Sequence, residues 1–172
     1  MELKDFILKS LENMQKALTA ATSDLEYDEI KWQAGPRANP IGFILWHQLR
    51  VEDRFVHTLF QQKTQLYEQD KWYQKMGLPN EPDNTGRGYN AEQIAAFPVP
   101  ELKTLQQYGD AVRRHTIEYI NSTGPDELNR ILDRPGVGKI PISEFFLILL
   151  GEVHQHIGQI AYLRGLVRSR KQ

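Results

Sequence analysis

Apolar residues recur every three or four positions along four long segments of this 172-residue chain, a spacing typical of helices with one buried face. The first segment carries its stripe at Leu3, Ile7, Leu11, Met14, Leu18 and Ala21. The other three segments run over about residues 40–63, 100–122 and 141–169. No segment alternates convincingly like a β-strand over several residues. The sequence therefore predicts an all-α fold, organised as a four-helix bundle.

The connection between the second and third predicted helices is too long for a tight hairpin, since about 36 residues separate them. A short helix is predicted around residues 66–76, and residues 76–88 have the composition of a loop. Another short helix is predicted to begin at Asn90, whose side chain pairs with Gln93 in a capping-box pattern. Because so long a connection can cross the bundle, we expect the second and third helices to run parallel within a single domain of residues 1–172.

Composition excludes several kinds of site and partner. The net charge of −1 gives no broad attraction to nucleic acid or to an anionic membrane. The chain has no cysteine, so disulfides, thiolate ligands and a cysteine nucleophile are excluded, and a metal site would have to use His, Asp or Glu. The longest apolar run, residues 145–150, is far shorter than the ~20 residues of a membrane-spanning helix. With no signal peptide visible either, we expect a cytoplasmic protein.

The fourth predicted helix carries two polar residues where its apolar stripe calls for hydrocarbon. Glu152 and His156 are one turn apart and therefore point the same way. They interrupt a stripe that also contains Phe145, Leu149, Ile160 and Leu163. A buried carboxylate needs a cation or a hydrogen-bond donor, and a metal ion would satisfy both side chains at once.

A third ligand is available at His47, which lies on the apolar stripe of the second predicted helix. Two histidines and one carboxylate are a familiar set of ligands for a divalent metal, with positions left open for water or substrate. Gly158 would give a ligand room to approach. The alternative is a buried ion pair between His156 and Glu152, with His47 bonded elsewhere.

Other polar residues are weaker candidates. Glu52 is a candidate general base, although a solvated or salt-bridged surface position is also open to it. Gln159 and Arg164 are candidates for holding a cofactor or substrate carboxylate, with a helix-terminal surface position as the alternative for the arginine.

The remaining histidines are assigned to other environments. His154 is two residues from Glu152 and cannot face the same site on a regular helix. His115 is expected to be hydrogen-bonded or half-exposed, although it could reach the bundle interior, and His57 is expected to be superficial.

Two segments together resemble the DinB-like (DinB/YfiT) superfamily of metal-binding helical bundles: residues 39–55 and residues 152–165. The turn at residues 86–88, Tyr108 and residues 126–128 fit the same family layout. The resemblance implies an up-down-down-up bundle with a long crossover between the second and third helices, and a homodimer.

The resemblance also implies a divalent metal, which most members of this family bind through three histidines. His47 and His156 match the first and last of these positions, but Glu152 stands at the middle one. This His, Glu, His pattern is nearest to that of the mycothiol-dependent maleylpyruvate isomerases, which use it for zinc. Zn²⁺ is therefore expected, with Ni²⁺, Mn²⁺ or Fe²⁺ as alternatives.

The function implied by the resemblance is a metal-dependent transferase or isomerase that acts on a small-molecule substrate with a low-molecular-weight thiol. The missing cysteine agrees with a thiol that arrives from solution. Two alternatives stay open. One is a metal-dependent hydrolase, and the other is a non-enzymatic, stress-induced protein whose metal is structural.

Overall fold

The computed structural model describes residues 1–134 and 138–170, and helices dominate them. The helices are α1 (Leu3–Thr22), α2 (Tyr27–Lys31), α3 (Ile41–Asp53), α4 (Leu66–Gln69), α5 (Trp72–Lys75), α6 (Ala91–Ala96), α7 (Leu102–Ser122), α8 (Pro125–Asn129) and α9 (Ile142–Ser169). A π-helical segment, Arg54–Phe60, continues α3, and two short strands, β1 (Ile131–Arg134) and β2 (Gly138–Pro141), precede α9. The predicted all-α class is confirmed.

Contacts between the four long helices define their directions. The start of α1 meets the end of α7, where Lys4 Nζ donates to the carbonyl of Asn121, so these two helices are antiparallel. The end of α1 meets the end of α9, where Arg168 donates to the carbonyl of Asp24, so those two are parallel. Helix α3 is antiparallel to α9, since rings contact between Phe55 and Phe145 and again between His47 and His156. The resulting order is up-down-down-up, as predicted.

Hydrocarbon fills the bundle in two clusters. One packs around the first half of α3 and the crossover, and the other around the π-helical segment and the first half of α9. The predicted stripe of α9 is buried at Phe145, Leu149, Ile160 and Leu163. Its two polar members, Glu152 and His156, are half-buried.

A buried polar cluster ties the crossover to the bundle. The Asp53 carboxylate accepts hydrogen bonds from the backbone N–H groups of Leu66 and Tyr67 and from the Tyr108 hydroxyl. Arg50 donates to the Gln65 side chain and stacks its guanidinium 3.6 Å from the centre of the Tyr67 ring. These bonds satisfy charges that would otherwise be costly to bury.

The structure differs from the sequence prediction in its short elements. Strands β1 and β2 form an antiparallel hairpin with a register from Ile131 opposite Pro141 to Arg134 opposite Gly138. Helices α4 and α5 replace the single short helix predicted around residues 66–76. The helix predicted at Asn90 is present, and both capping-box hydrogen bonds with Gln93 form.

Among the described residues, none of the helices has the length and apolar character needed to cross a membrane.

Candidate metal site

His47 lies on α3 at the half-buried edge of the bundle, and its ring is held from the crossover. Its Nδ1 atom is 2.6 Å from the carbonyl oxygen of Thr85. Because a carbonyl oxygen can only accept a hydrogen bond, Nδ1 carries the hydrogen, and the neutral ring keeps a lone pair on Nε2. His47 is therefore fixed in the tautomer that can bind a metal through Nε2.

The turn at residues 86–88 brings the Thr85 carbonyl to this position. Gly86 has φ +78°, in the region that favours glycine, and a Cβ there would lie 2.7 Å from the rings of both Phe43 and Trp46. The Asn84 side chain accepts a hydrogen bond from the Gly86 N–H and closes the turn. The close approach of this backbone to α3 thus depends on a glycine.

His156 approaches His47 from α9 and has its own anchor. Its Nδ1 atom is 2.9 Å from the side-chain oxygen of Gln159, which again leaves Nε2 as the free nitrogen. The ring centroids of His47 and His156 are 5.3 Å apart, and the rings are nearly perpendicular at 88°. We call these residues the His47–His156 pair.

Glu152 contributes charge to the pair. Its carboxylate is half-buried, and its charge acts to raise the pKa of His47. Among residues 1–134 and 138–170, no hydrogen bond or ion pair engages Glu152, and no three His, Asp or Glu side chains form a ready metal cluster. Ligation by all three predicted residues stays a prediction.

The environment of His47 favours the neutral ring that a metal requires. Burial lowers the pKa of His47 below its ordinary value, and the neighbouring His156 and Arg87 add to this effect. The Thr85 carbonyl and the charge of Glu152 oppose it without reversing it. Protons therefore compete less with a metal ion for His47 than for an exposed histidine.

The His47–His156 pair fits a divalent metal. Two imidazoles on one tetrahedral ion, each with a metal–nitrogen distance of about 2.0–2.1 Å, have ring centroids roughly 5 Å apart. The observed separation of 5.3 Å matches this arrangement. Hydrogen bonds from Nδ1 to an oxygen acceptor are also the usual outer support of metal-binding histidines.

Two residues near the pair have roles that the sequence did not reveal. Arg87 is exposed and close enough for its charge to influence the pKa of His47. Thr85 acts through its backbone carbonyl, so its side chain carried no signal. The turn itself was predicted from its glycines, but its contact with α3 was not.

Gln159 and Arg164, the predicted cofactor-binding residues, form hydrogen bonds with other residues of the bundle. Gln159 anchors His156 as described above. Arg164 donates to the carbonyl of Ala20 and to the Ser23 hydroxyl at the end of α1, which is the helix-terminal alternative considered for it. Cofactor binding by these two residues stays a prediction.

Glu52 lies inside the bundle, and its predicted surface position is wrong. Its carboxylate accepts two hydrogen bonds from Arg113, at 2.9 and 2.8 Å, and one from the Thr116 hydroxyl at 2.8 Å. Both oxygens thus accept hydrogen bonds from one neighbouring helix, α7. This geometry lends no support to Glu52 as a general base.

The remaining histidines lie outside the His47–His156 pair. His154 is exposed and bonds to the carbonyl of Leu150, as its offset from Glu152 predicts. His115 is half-exposed, also as predicted. The superficial position predicted for His57 is wrong, because only 4% of the residue is exposed.

A cavity of about 490 Å³ lies beside the His47–His156 pair in sequence terms: its lining includes residues adjacent to His47 and to Thr85, but neither histidine of the pair. Trp46 precedes His47, and Asn84 precedes Thr85. Aromatic rings of Tyr67, Tyr89 and Phe97 complete much of its wall. The volume is within the range of small-molecule sites.

Comparison with known proteins agrees with this architecture. The family model described as the DinB superfamily matches residues 10–160. The crystal structure of a conserved protein from Enterococcus faecalis is similar, with a TM-score of 0.86 and 19% sequence identity, over 98% of this chain and 99% of that one. At this identity the likeness concerns the fold alone. No curated protein matches the chain.

Proposed function

The chain belongs to the DinB superfamily, and from this premise we propose that it binds a divalent metal ion through His47, Glu152 and His156. We further propose that it uses the metal as a transferase or isomerase acting with a low-molecular-weight thiol. Zn²⁺ is the expected ion, with Ni²⁺, Mn²⁺ or Fe²⁺ as alternatives. The substrate is a small molecule. A homodimer and a cytoplasmic location remain predictions.

One observation supports the metal most strongly. Two histidines from distant parts of the chain bring their rings to 5.3 Å, and each has its Nδ1 engaged by an oxygen acceptor. Each hydrogen bond fixes the orientation of its ring and leaves Nε2 without a hydrogen. Metal-binding histidines usually have such a hydrogen bond from the nitrogen that does not bind the metal.

The chain's own residues would supply binding and orientation. A bound divalent ion would contribute Lewis acidity that favours the deprotonated form of a thiol. Glu152 would be the third ligand and would lower the net charge of the site. Arg87, exposed beside His47, is suited to hold an anionic group of the thiol or substrate. The thiol must come from solution, because the chain has no cysteine.

Metal content tests the site before any substrate is known. Tag-free protein purified without added metal is analysed for bound elements, as wild type and as the His47→Ala and His156→Ala variants. Each variant should lose about one equivalent of divalent metal relative to wild type, because one of two imidazole ligands is gone. His154→Ala, on the same helix and exposed, is the matched control and should keep the wild-type content. Unchanged content in both ligand variants would overturn the proposed site.

Activity is tested separately with metal-loaded protein. Bacillithiol, mycothiol, glutathione and coenzyme A are each offered with an electrophile, and adduct formation is followed by mass spectrometry. We expect adduct formation with at least one thiol in the wild type and in His154→Ala, and its loss in His47→Ala. If metal binds as proposed and no thiol reacts, the thiol chemistry is wrong while the metal site stands.

A further inference from the structure

A second pair of histidines faces each other where the π-helical segment meets α7. The Nε2 atom of His57 is 3.4 Å from the Nδ1 atom of His115, and their ring centroids are 5.4 Å apart. We propose that this His57–His115 pair is a second divalent-metal site, selective for ions that prefer imidazole, Zn²⁺ foremost. The proposal does not depend on the His47–His156 pair. His57 is ten residues farther along the helix than His47, which corresponds to about 15 Å.

The buried carboxylate of Asp53 orients the ring of His57. Its Oδ1 atom is 2.7 Å from Nδ1 of His57 and accepts the hydrogen on that nitrogen, so Nε2 is the nitrogen through which the ring would bind a metal. Asp53 is itself held by Tyr108 and by the backbone of the crossover. Carboxylate, imidazole and metal in a row is the recurring outer support of zinc-binding histidines.

The spacing of the two facing nitrogens suits an ion better than a direct hydrogen bond. A hydrogen bond from N–H has a length of about 2.7–3.2 Å, and the observed 3.4 Å is longer. Two nitrogens that bind one tetrahedral ion at about 2.0–2.1 Å lie roughly 3.3–3.4 Å apart. The observed separation of 3.4 Å is therefore compatible with a shared ion.

The pair opens onto a cavity of about 430 Å³ that gives an ion access to solvent. Glu118 lines this cavity, one helical turn from His115. It is exposed and has no hydrogen bond or ion pair within the described parts of the chain, so it is free to rotate toward an ion. Lys63 is the cation on the rim, and its ammonium group donates to the Gln61 side chain. The pair thus supplies two ligands, and Glu118 or water completes the set.

The backbone at this position is also unusual. His57 lies in the π-helical segment, and π-helical turns are rare and occur frequently at functional sites. The wider turn changes the angular position of His57 relative to regular α-helical spacing. An ion bound there would link the π-helical segment to α7.

Zinc titration by calorimetry tests the proposal in a background that lacks the first site. Tag-free His47→Ala protein is stripped with chelator and titrated with Zn²⁺, alone and combined with His115→Ala or with His154→Ala. We expect one equivalent of Zn²⁺ to bind to His47→Ala and to the His47→Ala/His154→Ala control. The His47→Ala/His115→Ala protein should lose this equivalent.

Failure of either expectation overturns the second site. An absence of binding in His47→Ala, or binding that survives His115→Ala, would show that the pair does not hold zinc. Nitrogen-15 spectra of wild-type imidazoles provide a readout that needs no substitution. Zinc should shift Nδ1 of His115 and Nε2 of His57, and unchanged signals at saturating zinc would contradict the proposal. The metal content of His156→Ala reports on the first site alone, so failure of the second site can be distinguished from failure of the proposed function.

Discussion

Glu52 and Arg113 form an ion pair inside the bundle, with side chains only 2% and 9% exposed. The guanidinium meets the carboxylate through two hydrogen bonds and also donates to the backbone carbonyl of Leu11 on α1. Removing two charges from water is costly, and their attraction offsets that cost only when the geometry is good. Replacing one partner should therefore lower the free energy of unfolding more than replacing both with apolar residues.

We expect Arg113→Met to lower the free energy of unfolding by about 3–5 kcal/mol, because it leaves the Glu52 carboxylate buried without its cation. Urea unfolding followed by circular dichroism measures this change. Arg114→Met is the matched control at the neighbouring, exposed position and should change the free energy by less than about 0.5 kcal/mol.

The double variant Glu52→Leu/Arg113→Met separates pairing from packing. Replacing both charges with hydrocarbon should recover most of the stability lost in Arg113→Met, because no unpaired charge stays buried. A double variant as unstable as the single one would show that Arg113 acts through its bond to Leu11 or through packing.

Burial of individual charged residues was the part of the site least accessible to sequence. The sequence showed on which face of its helix Glu52 lies, but it could not show its partner, because Arg113 is 61 residues away on another helix. His57 was misplaced for a different reason. Its position was extrapolated with α-helical spacing, and the π-helical segment that begins at Arg54 changes that spacing.

At the scale of elements, the turn at residues 86–88 links the crossover to the candidate site. It delivers the Thr85 carbonyl to His47, and it can do so because Gly86 presents no side chain to Phe43 and Trp46. A substitution at this glycine should therefore affect both stability and the orientation of His47.

We expect Gly86→Ala to lower the free energy of unfolding by about 2–4 kcal/mol. Part of this loss is the cost of a left-handed conformation for alanine, and part is the crowding of the two rings. Displacing the Thr85 carbonyl should also weaken zinc binding at the His47–His156 pair. Thermal denaturation and zinc titration, both in a His115→Ala background, measure the two effects.

Gly88→Ala is the control for this turn, because Gly88 has a similar φ of +80° but no neighbour within 4 Å of an added Cβ. It should show only the conformational cost, about 1–2 kcal/mol, with zinc binding unchanged. Equal effects of the two substitutions would mean that the close approach of Gly86 to α3 is unimportant.

Long elements were predictable from sequence, and short ones were not. The four long helices show enough turns for their apolar stripes to be recognised, and the cap at Asn90 has a local chemical signature. Strands β1 and β2 have four residues each, so each face presents at most two side chains, too few for an alternation to be recognised. Helix α2, with five residues, is likewise too short for a period to emerge.

At the scale of the whole molecule, the order of the helices makes the candidate site possible. Helices α3 and α9 are antiparallel neighbours, so His47 and His156, more than one hundred residues apart in sequence, meet at one level of the bundle. The crossover between the π-helical segment and α7 then folds back and supplies Thr85. The length of that connection indicated its path, but only the folded chain shows which backbone atom reaches the site.

His47 and His156 are only half-buried and the two hydrocarbon clusters are apolar throughout, so the bundle should fold without a metal at the His47–His156 pair. We expect chelator-treated His115→Ala protein, which lacks the second proposed site, to keep its helical circular dichroism and to melt in one cooperative transition. Added zinc should raise the melting temperature by less than about 10 °C, the size expected when a ligand binds a preformed site. His47→Ala/His115→Ala protein is the control and should melt at the same temperature with and without zinc. Loss of cooperative melting on chelation would instead identify the metal as structural and would favour the non-enzymatic alternative over a thiol-dependent enzyme.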